Sequence, residues 1–300
     1  MEIIFSHQCL NYGTPGHPES AERVRLAAEY LQSRAAEPSA GSATQHPAAR
    51  KAQTVFEFVE PSPAAEADIL KVHSREHLRQ LKALDFEDYD SPPYQDIFKY
   101  AALSAGGAIA AAMRGGFSLM RPPGHHAGKA RIAGFCYLNN IAIAVRKLGT
   151  RTLIVDIDGH HGDGTQSIFL GDPYVTYVSL HRAPLYPGTG MESDRNCHNF
   201  PIFGPCGDRV YLEILDKALN SVDTAGTEQV AISAGFDAYE SDPLATLGLT
   251  TEAYHKIGKR IAGLGLPVFA VLEGGYDAAN LGRNIEQLIL GLDGGKVIGR

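Results

Sequence analysis

The sequence predicts a single three-layer α/β domain, with a central mostly parallel sheet flanked by helices. Three observations carry this: six short β-rich runs, longer helix-patterned segments between them, and a His, Asp or Tyr soon after most of the runs. Most of the runs are unbroken apolar stretches, which implies burial on both faces, as in a parallel sheet whose crossovers are helices. Residues 1–300 are expected to form that one domain, because 300 residues with 44% hydrophobic content can bury one large core.

Strands are expected at residues 2–5, 118–120, 152–156, 175–180, 230–233 and 268–272. Helices are expected at 20–31, 97–113, 134–148, 208–222, 251–264 and 280–290. The Ala-rich helix contains Gly106 and Gly107, so it should pack closely against a neighbour. The Ala, Ser, Pro and Gly of 34–53 read as a surface loop, and the turn-rich 185–207 as a connection that helps to wall a pocket.

Composition excludes several classes. A net charge of −7 with no run of Lys or Arg argues against direct nucleic-acid binding. It suits a cationic substrate, though salt screening over about 8 Å lets an acidic surface steer a ligand without selecting it. Cys9, Cys136, Cys197 and Cys206 include no CxxC pair, so neither a disulfide framework nor a thiolate zinc site is expected, and the cytoplasm is the expected compartment. The opening MEIIFSHQCL has too short an apolar run for a signal peptide, and no later segment is apolar enough to span a membrane.

In an open parallel sheet ligands gather beyond the carboxyl ends of the strands. There the sequence places RPPGHH, DIDGHHGDG, His181, AGFD and EGGY. If the chain stays extended past Asp156, then Asp156, Asp158 and His160 share one face while Ile157 takes the other. Asp158 and His160, joined by Asp237 from another strand end, make a three-ligand zinc site with an open position. Buried charges are costly unless paired or metal-bound, which favours a metal over a set of unrelated caps. His125 and His126 are candidates for proton transfer, with Asp156 and Asp163 as the carboxylates that orient them. Tyr276 follows a flexible Gly-Gly pair and can donate to a developing oxyanion.

These residues, together with HPES, YDSPP, RPPGHHAG, GFCYLNN, DIDGHHGDGTQ, YPGTG, SAGFDAYESDPL and LEGGY in that order, resemble the zinc-dependent histone deacetylase superfamily. That superfamily includes bacterial acetylpolyamine amidohydrolases and acetoin-utilisation proteins, and the match spans nearly the whole chain. The resemblance implies an arginase/deacetylase type of fold, zinc on Asp158, His160 and Asp237, His126 as general base and acid, His125 as its electrostatic partner, and Tyr276 as the carbonyl-polarising donor. It also implies Phe135 and Tyr186 as tunnel walls, Gly134 as the close-packing point and Asp90 as a rim acid that grips substrate amides. Arg23 matches a residue of an inner product channel, and potassium is implied near Asp156, Asp158, His160, Ser179 and Leu180. Most relatives have Phe where Tyr186 stands, which leaves the polarity of the tunnel open.

The implied substrate is an acetylated amine. Leu244 stands where a polyamine-selective relative has Glu, which favours acetyl-lysine, while the short chain and FSLMRPPGHHAG also fit the small-amide branch. Two other readings are a non-catalytic protein that binds acetylated ligands and a two-metal hydrolase of arginase type. Iron and zinc can share such ligands, so the metal in the cell stays open, as does the oligomeric state.

Overall fold

The structure, a computed structural model, describes residues 1–36 and 56–294. In chain order the first elements are β1 (Ile3–Ile4), α1 (Ala21–Ala36), β2 (Phe58–Val59), α2 (Glu66–Ile69), α3 (Arg75–Ala83), α4 (Ile97–Arg114) and β3 (Phe117–Ser118). Then follow α5 (Asn140–Leu148), β4 (Thr152–Asp156), α6 (Asp163–Phe169), β5 (Val175–Ala183), β6 (Cys197–Phe203), α7 (Gly207–Ser221), β7 (Gln229–Ala234), α8 (Thr251–Ala262), β8 (Val268–Leu272) and α9 (Ala278–Asp293).

All eight strands join one sheet in the order β2-β1-β3-β8-β7-β4-β5-β6, and every pairing between them is parallel. Both faces are buried. Along β4 and just beyond it, Leu153, Val155 and Ile157 enter one apolar cluster, shared with residues of α1, α7, α8 and α9, while Ile154 enters the other, shared with α3, α4 and α5. β7 and β8 alternate in the same way, with Val230 and Ile232 against Ala231, and Ala270 and Leu272 against Phe269 and Val271. Unbroken apolar strands thus keep a period of two, with neither face wet.

Close packing of α4 has a steric cause. A Cβ on Gly106 would stand 1.9 Å from the Ser62 carbonyl oxygen, and one on Gly107 would stand 2.7 Å from Met120 Cγ.

Three sequence expectations need correction. The helix expected from residue 134 begins only at Asn140, because Gly134 (φ 55°) and Phe135 (φ 68°) lie in the left-handed region, and the Asn139 side chain caps the helix by accepting from Ala142 N. The turn-rich 185–207 contains β6, where His198 and Pro201 disguise a strand; Pro is tolerated there because β6 is the sheet edge. The loop expected at 34–53 starts later, since α1 continues to Ala36; residues 37–53 lie outside the described part of the chain.

Candidate metal centre

Five strands, β3, β8, β7, β4 and β5, stand side by side, and the segment after each reaches the same end of the sheet. Ile157 N still bonds to Ser233 O at 3.0 Å, so β4 keeps its pairing one residue past Asp156. The chain then bends, and it does so through the Asp158 carboxylate, whose Oδ1 accepts from His160 N at 2.8 Å. The extended run foreseen through His160 therefore stops early, yet Asp156 Oδ2 and Asp158 Oδ1 still face one ring, His125, at 3.2 and 3.8 Å.

Asp158, His160 and Asp237 are buried, each offers one ligand atom, and these atoms lie within 4.8 Å of one another, so the three form a group able to hold a metal ion. Asp237 Oδ2 is 2.7 Å from His160 Nδ1 but has no hydrogen bond, an orphaned acceptor in a dry site. Burial, and then the Asp158 carboxylate, push Asp237 up to about 7, so the pair calls for positive charge between them. The flanking glycines make the room: a Cβ on Gly274 would stand 2.6 Å from Asp158 Oδ2 and 2.8 Å from Asp237 Oδ2, and one on Gly235 would stand 2.1 Å from Asp158 Oδ2. Gly159 N and Gly274 N hold the outer oxygens, donating to Asp237 Oδ1 at 2.6 Å and Asp158 Oδ2 at 2.8 Å. The donor set fits a small cation with oxygen and nitrogen preference.

The adjacent histidines occupy opposite electrostatic environments. His126 Nδ1 lies 2.8 Å from Asp163 Oδ1, but burial, followed by the charge of His125, brings the ring down to about 3. Burial also opposes charge on His125, yet Asp158 and Asp156 outweigh it and hold the ring well above the usual range. Two neighbouring titratable groups pushed apart in this way can divide proton transfer and charge stabilisation between them. Arg131, half-exposed, grips the second oxygen of Asp163. Glu273 fixes the turn that carries both rings, accepting from Gly124 N at 2.6 Å and His125 N at 3.1 Å.

A pocket of about 260 Å³ opens above this floor, lined by Pro18, Asp90, His126, Gly134, Phe135, His160, Tyr186, Leu244 and Tyr276. Every substrate-binding residue expected from the sequence lies on it, and so does Tyr276. Gly134 has to be glycine, since its φ is positive and a Cβ would stand 2.6 Å from His126 Cδ2. Phe135 is held in a left-handed conformation that bulky residues avoid, with its N–H on Ser91 Oγ at 2.9 Å. The Tyr276 ring lies 5.8 Å from that of Phe135 and under the Arg23 guanidinium at 4.6 Å. Ser179 pairs in register with Asp156 across β4 and β5, while the Leu180 side chain lies in the apolar core, so only its main chain is free to face the site.

Sequence reading missed Pro18, Ser91, Arg131, Asp242 and Glu273. Ser91, Asp242 and Glu273 stand inside motifs in which other residues were assigned, and no periodicity marks a residue whose task is to hold a backbone.

A pocket at the carboxyl edge of a parallel sheet, over a buried Asp158, His160 and Asp237 group, fits a metal-dependent enzyme. A model of the histone deacetylase domain matches residues 17–292, and the chain belongs to that family. A probable deacetylase of Methanothermobacter thermautotrophicus is 40% identical over 98% of this chain and 91% of its own length. The acetylpolyamine amidohydrolase of Mycoplana ramosa is 34% identical over 65% of this chain and 61% of its own. A crystal structure of an acetylpolyamine aminohydrolase from Burkholderia pseudomallei superposes with a TM-score of 0.84 at 26% identity, covering 97% of this chain and 98% of that one. The protein is accordingly a deacetylase or amidohydrolase of this family, a family that typically uses zinc. Among the described residues no helix is long and apolar enough to cross a membrane.

Proposed function

We propose that the protein is a zinc-dependent deacetylase that hydrolyses the acetyl amide of acylated amines, foremost acetyl-lysine side chains. One observation carries the reading: a neutral, carboxylate-oriented His126 and Tyr276 line a narrow pocket together with His160, one member of the Asp158, His160 and Asp237 group. Zinc, when bound by those three, supplies Lewis-acid polarisation of the amide carbonyl and of the attacking water.

His126 Nδ1–H donates to Asp163, which leaves Nε2 free to take a proton from water and return it to the departing amine. His125, held cationic by Asp156 and Asp158, adds positive charge beside the reacting carbonyl. The Tyr276 hydroxyl donates to the carbonyl oxygen as it gains charge. Acetate and the free amine leave, and no side chain forms a covalent bond. A potassium ion near Asp156, Asp158, His160, Ser179 and Leu180 belongs to the same reading, supported by the pairing of Asp156 with Ser179.

The pocket volume of about 260 Å³ is below the roughly 300–1,000 Å³ common for ligand sites, which suits one unbranched alkyl chain between Phe135 and Tyr186. At the rim Leu244 offers no partner for a distant ammonium and so favours acetyl-lysine; Asp90, which lines the same pocket, is the acid that grips substrate amides in this reading. Likeness to two acetylpolyamine hydrolases supports a second reading, acetylpolyamines or other small amides. Competition between an acetyl-lysine peptide and acetylated polyamines on the zinc-loaded protein tests both: faster peptide turnover is expected, and faster polyamine turnover selects the second. Failure to hydrolyse any acylated amine would revive the binding-protein alternative.

A further inference from the structure

Asp242 takes no part in the proposed chemistry, yet the residue is only 4% exposed, and each hydrogen bond its carboxylate accepts comes from the main chain. Oδ2 accepts from Tyr276 N at 2.6 Å and from Asp277 N at 3.3 Å, while Oδ1 accepts from Leu244 N at 2.9 Å. Burying a carboxylate is costly, and these N–H groups offset that cost only while both loops stay in register.

The two loops so joined are those that give Tyr276 and Leu244 to the pocket. Before Tyr276 the main chain has two glycines, with Gly275 at φ +119°, and after it Asp277 caps α9 by accepting from Asn280 N at 3.2 Å. The Arg23 guanidinium lies over the face of the ring at 4.6 Å, and Phe135 meets it edge-on at an interplanar angle of 72°, contacts that set its plane more than its reach into the pocket. Gly274 N donates to Asp158 and the Gly275 carbonyl accepts from Arg23 Nε, so the Asp242 carboxylate holds the next link of the chain, between that pair and the helix cap.

We infer that Asp242 is a positioning residue for the reaction: by tying the Tyr276 main chain to that of Leu244, it sets the reach of the Tyr276 hydroxyl toward the substrate carbonyl. This rests on the deacetylase reading with Tyr276 as donor. A staple that merely held the fold together would act independently of that hydroxyl, and the two roles separate in a double-mutant cycle.

The experiment measures kcat and KM on an acetyl-lysine peptide for zinc-loaded wild type, Asp242→Asn, Tyr276→Phe and the double variant, with zinc content and thermal unfolding alongside. Asparagine keeps one oxygen, so whichever way the amide turns, its NH2 faces main-chain N–H groups. Asp242→Asn should lower kcat roughly tenfold to a hundredfold, as a small displacement of a reacting group does, with KM within about threefold. On the Tyr276→Phe background the further loss should be under about threefold. Losses that multiply, or a wild-type kcat in Asp242→Asn, would overturn the inference. If Asp242→Asn does not fold, Asp242→Glu, which keeps the charge and moves it by one methylene, goes through the same cycle; if neither folds, the role is structural and the inference fails. An inactive wild type overturns the deacetylase reading and this inference with it, whereas an active wild type with independent losses overturns only the role given to Asp242.

Discussion

At the floor of the pocket Asp156, Asp158 and Asp237 are 0% exposed, and a main-chain N–H holds at least one oxygen of each; at the rim Tyr186 is 41% exposed, and Asp90 and Leu244 stand on loops. The floor has little freedom to change, because any altered group leaves a buried charge without its partner. The rim meets water, so a substitution there costs little stability and acts on which amine enters. Reaction type is therefore set below and substrate choice above.

The comparison is broken most severely by Asp237→Asn. Metal content and kcat should both fall a hundredfold or more, about the upper end of what loss of a ligand's supporting partner costs; full zinc occupancy by metal analysis would remove Asp237 from the ligand set. Next in size, His126→Ala and Tyr276→Phe should each lower kcat by roughly a hundredfold while zinc stays bound. Turnover like that of wild type in either would sink the proposed proton transfer or oxyanion donation.

A change at the rim should act differently. Leu244→Glu should move the preference between acetylpolyamine and acetyl-lysine peptide toward the polyamine by roughly threefold to fivefold, the scale of one exposed charge pair, and leave zinc binding untouched. An unchanged ratio would mean that Leu244 does not govern entry.

The smallest effect concerns the loop that carries Gly134 and Phe135. His73 pins its two ends, with Nδ1 3.0 Å from Gly128 O and Nε2 accepting from Asn139 N at 2.9 Å. Burial, then the charge of His77, lowers His73 from its ordinary 6.5 to about 3. The unfolded chain therefore binds a proton that the folded chain refuses, so the His73 contribution to stability is present above about pH 6.5 and is lost as pH falls toward 3. Melting temperature between pH 7 and 4 should fall less steeply in His73→Gln, and an unchanged slope would show that His73 does not titrate in this way.

Sequence legibility followed the same division. The apolar runs at 152–156 and 268–272 were readable to the residue because both faces of those strands are dry. β6 was not, since an edge strand tolerates His198 and Pro201, and α6 was hidden because Gly162 and Gly164 flank its first residue. Phe135 read as helical because its positive φ is imposed by the surrounding loop and not by its own preference.

What the sequence determined by itself was the kind of chemistry: Asp and His gathered at strand ends favour a metal or one another as partners, and their identities survive any uncertainty about the path of the chain. Only the tertiary structure decided what sets the two rings apart and what holds them in place. His125 and His126 are neighbours of one residue type in the sequence, and it is the carboxylates of β4 and its following loop that charge the first, and burial that keeps the second neutral. Asp242 and Glu273 likewise reach their partners only through folding, because a carboxylate that holds main-chain N–H groups places no demand on the side chains it serves.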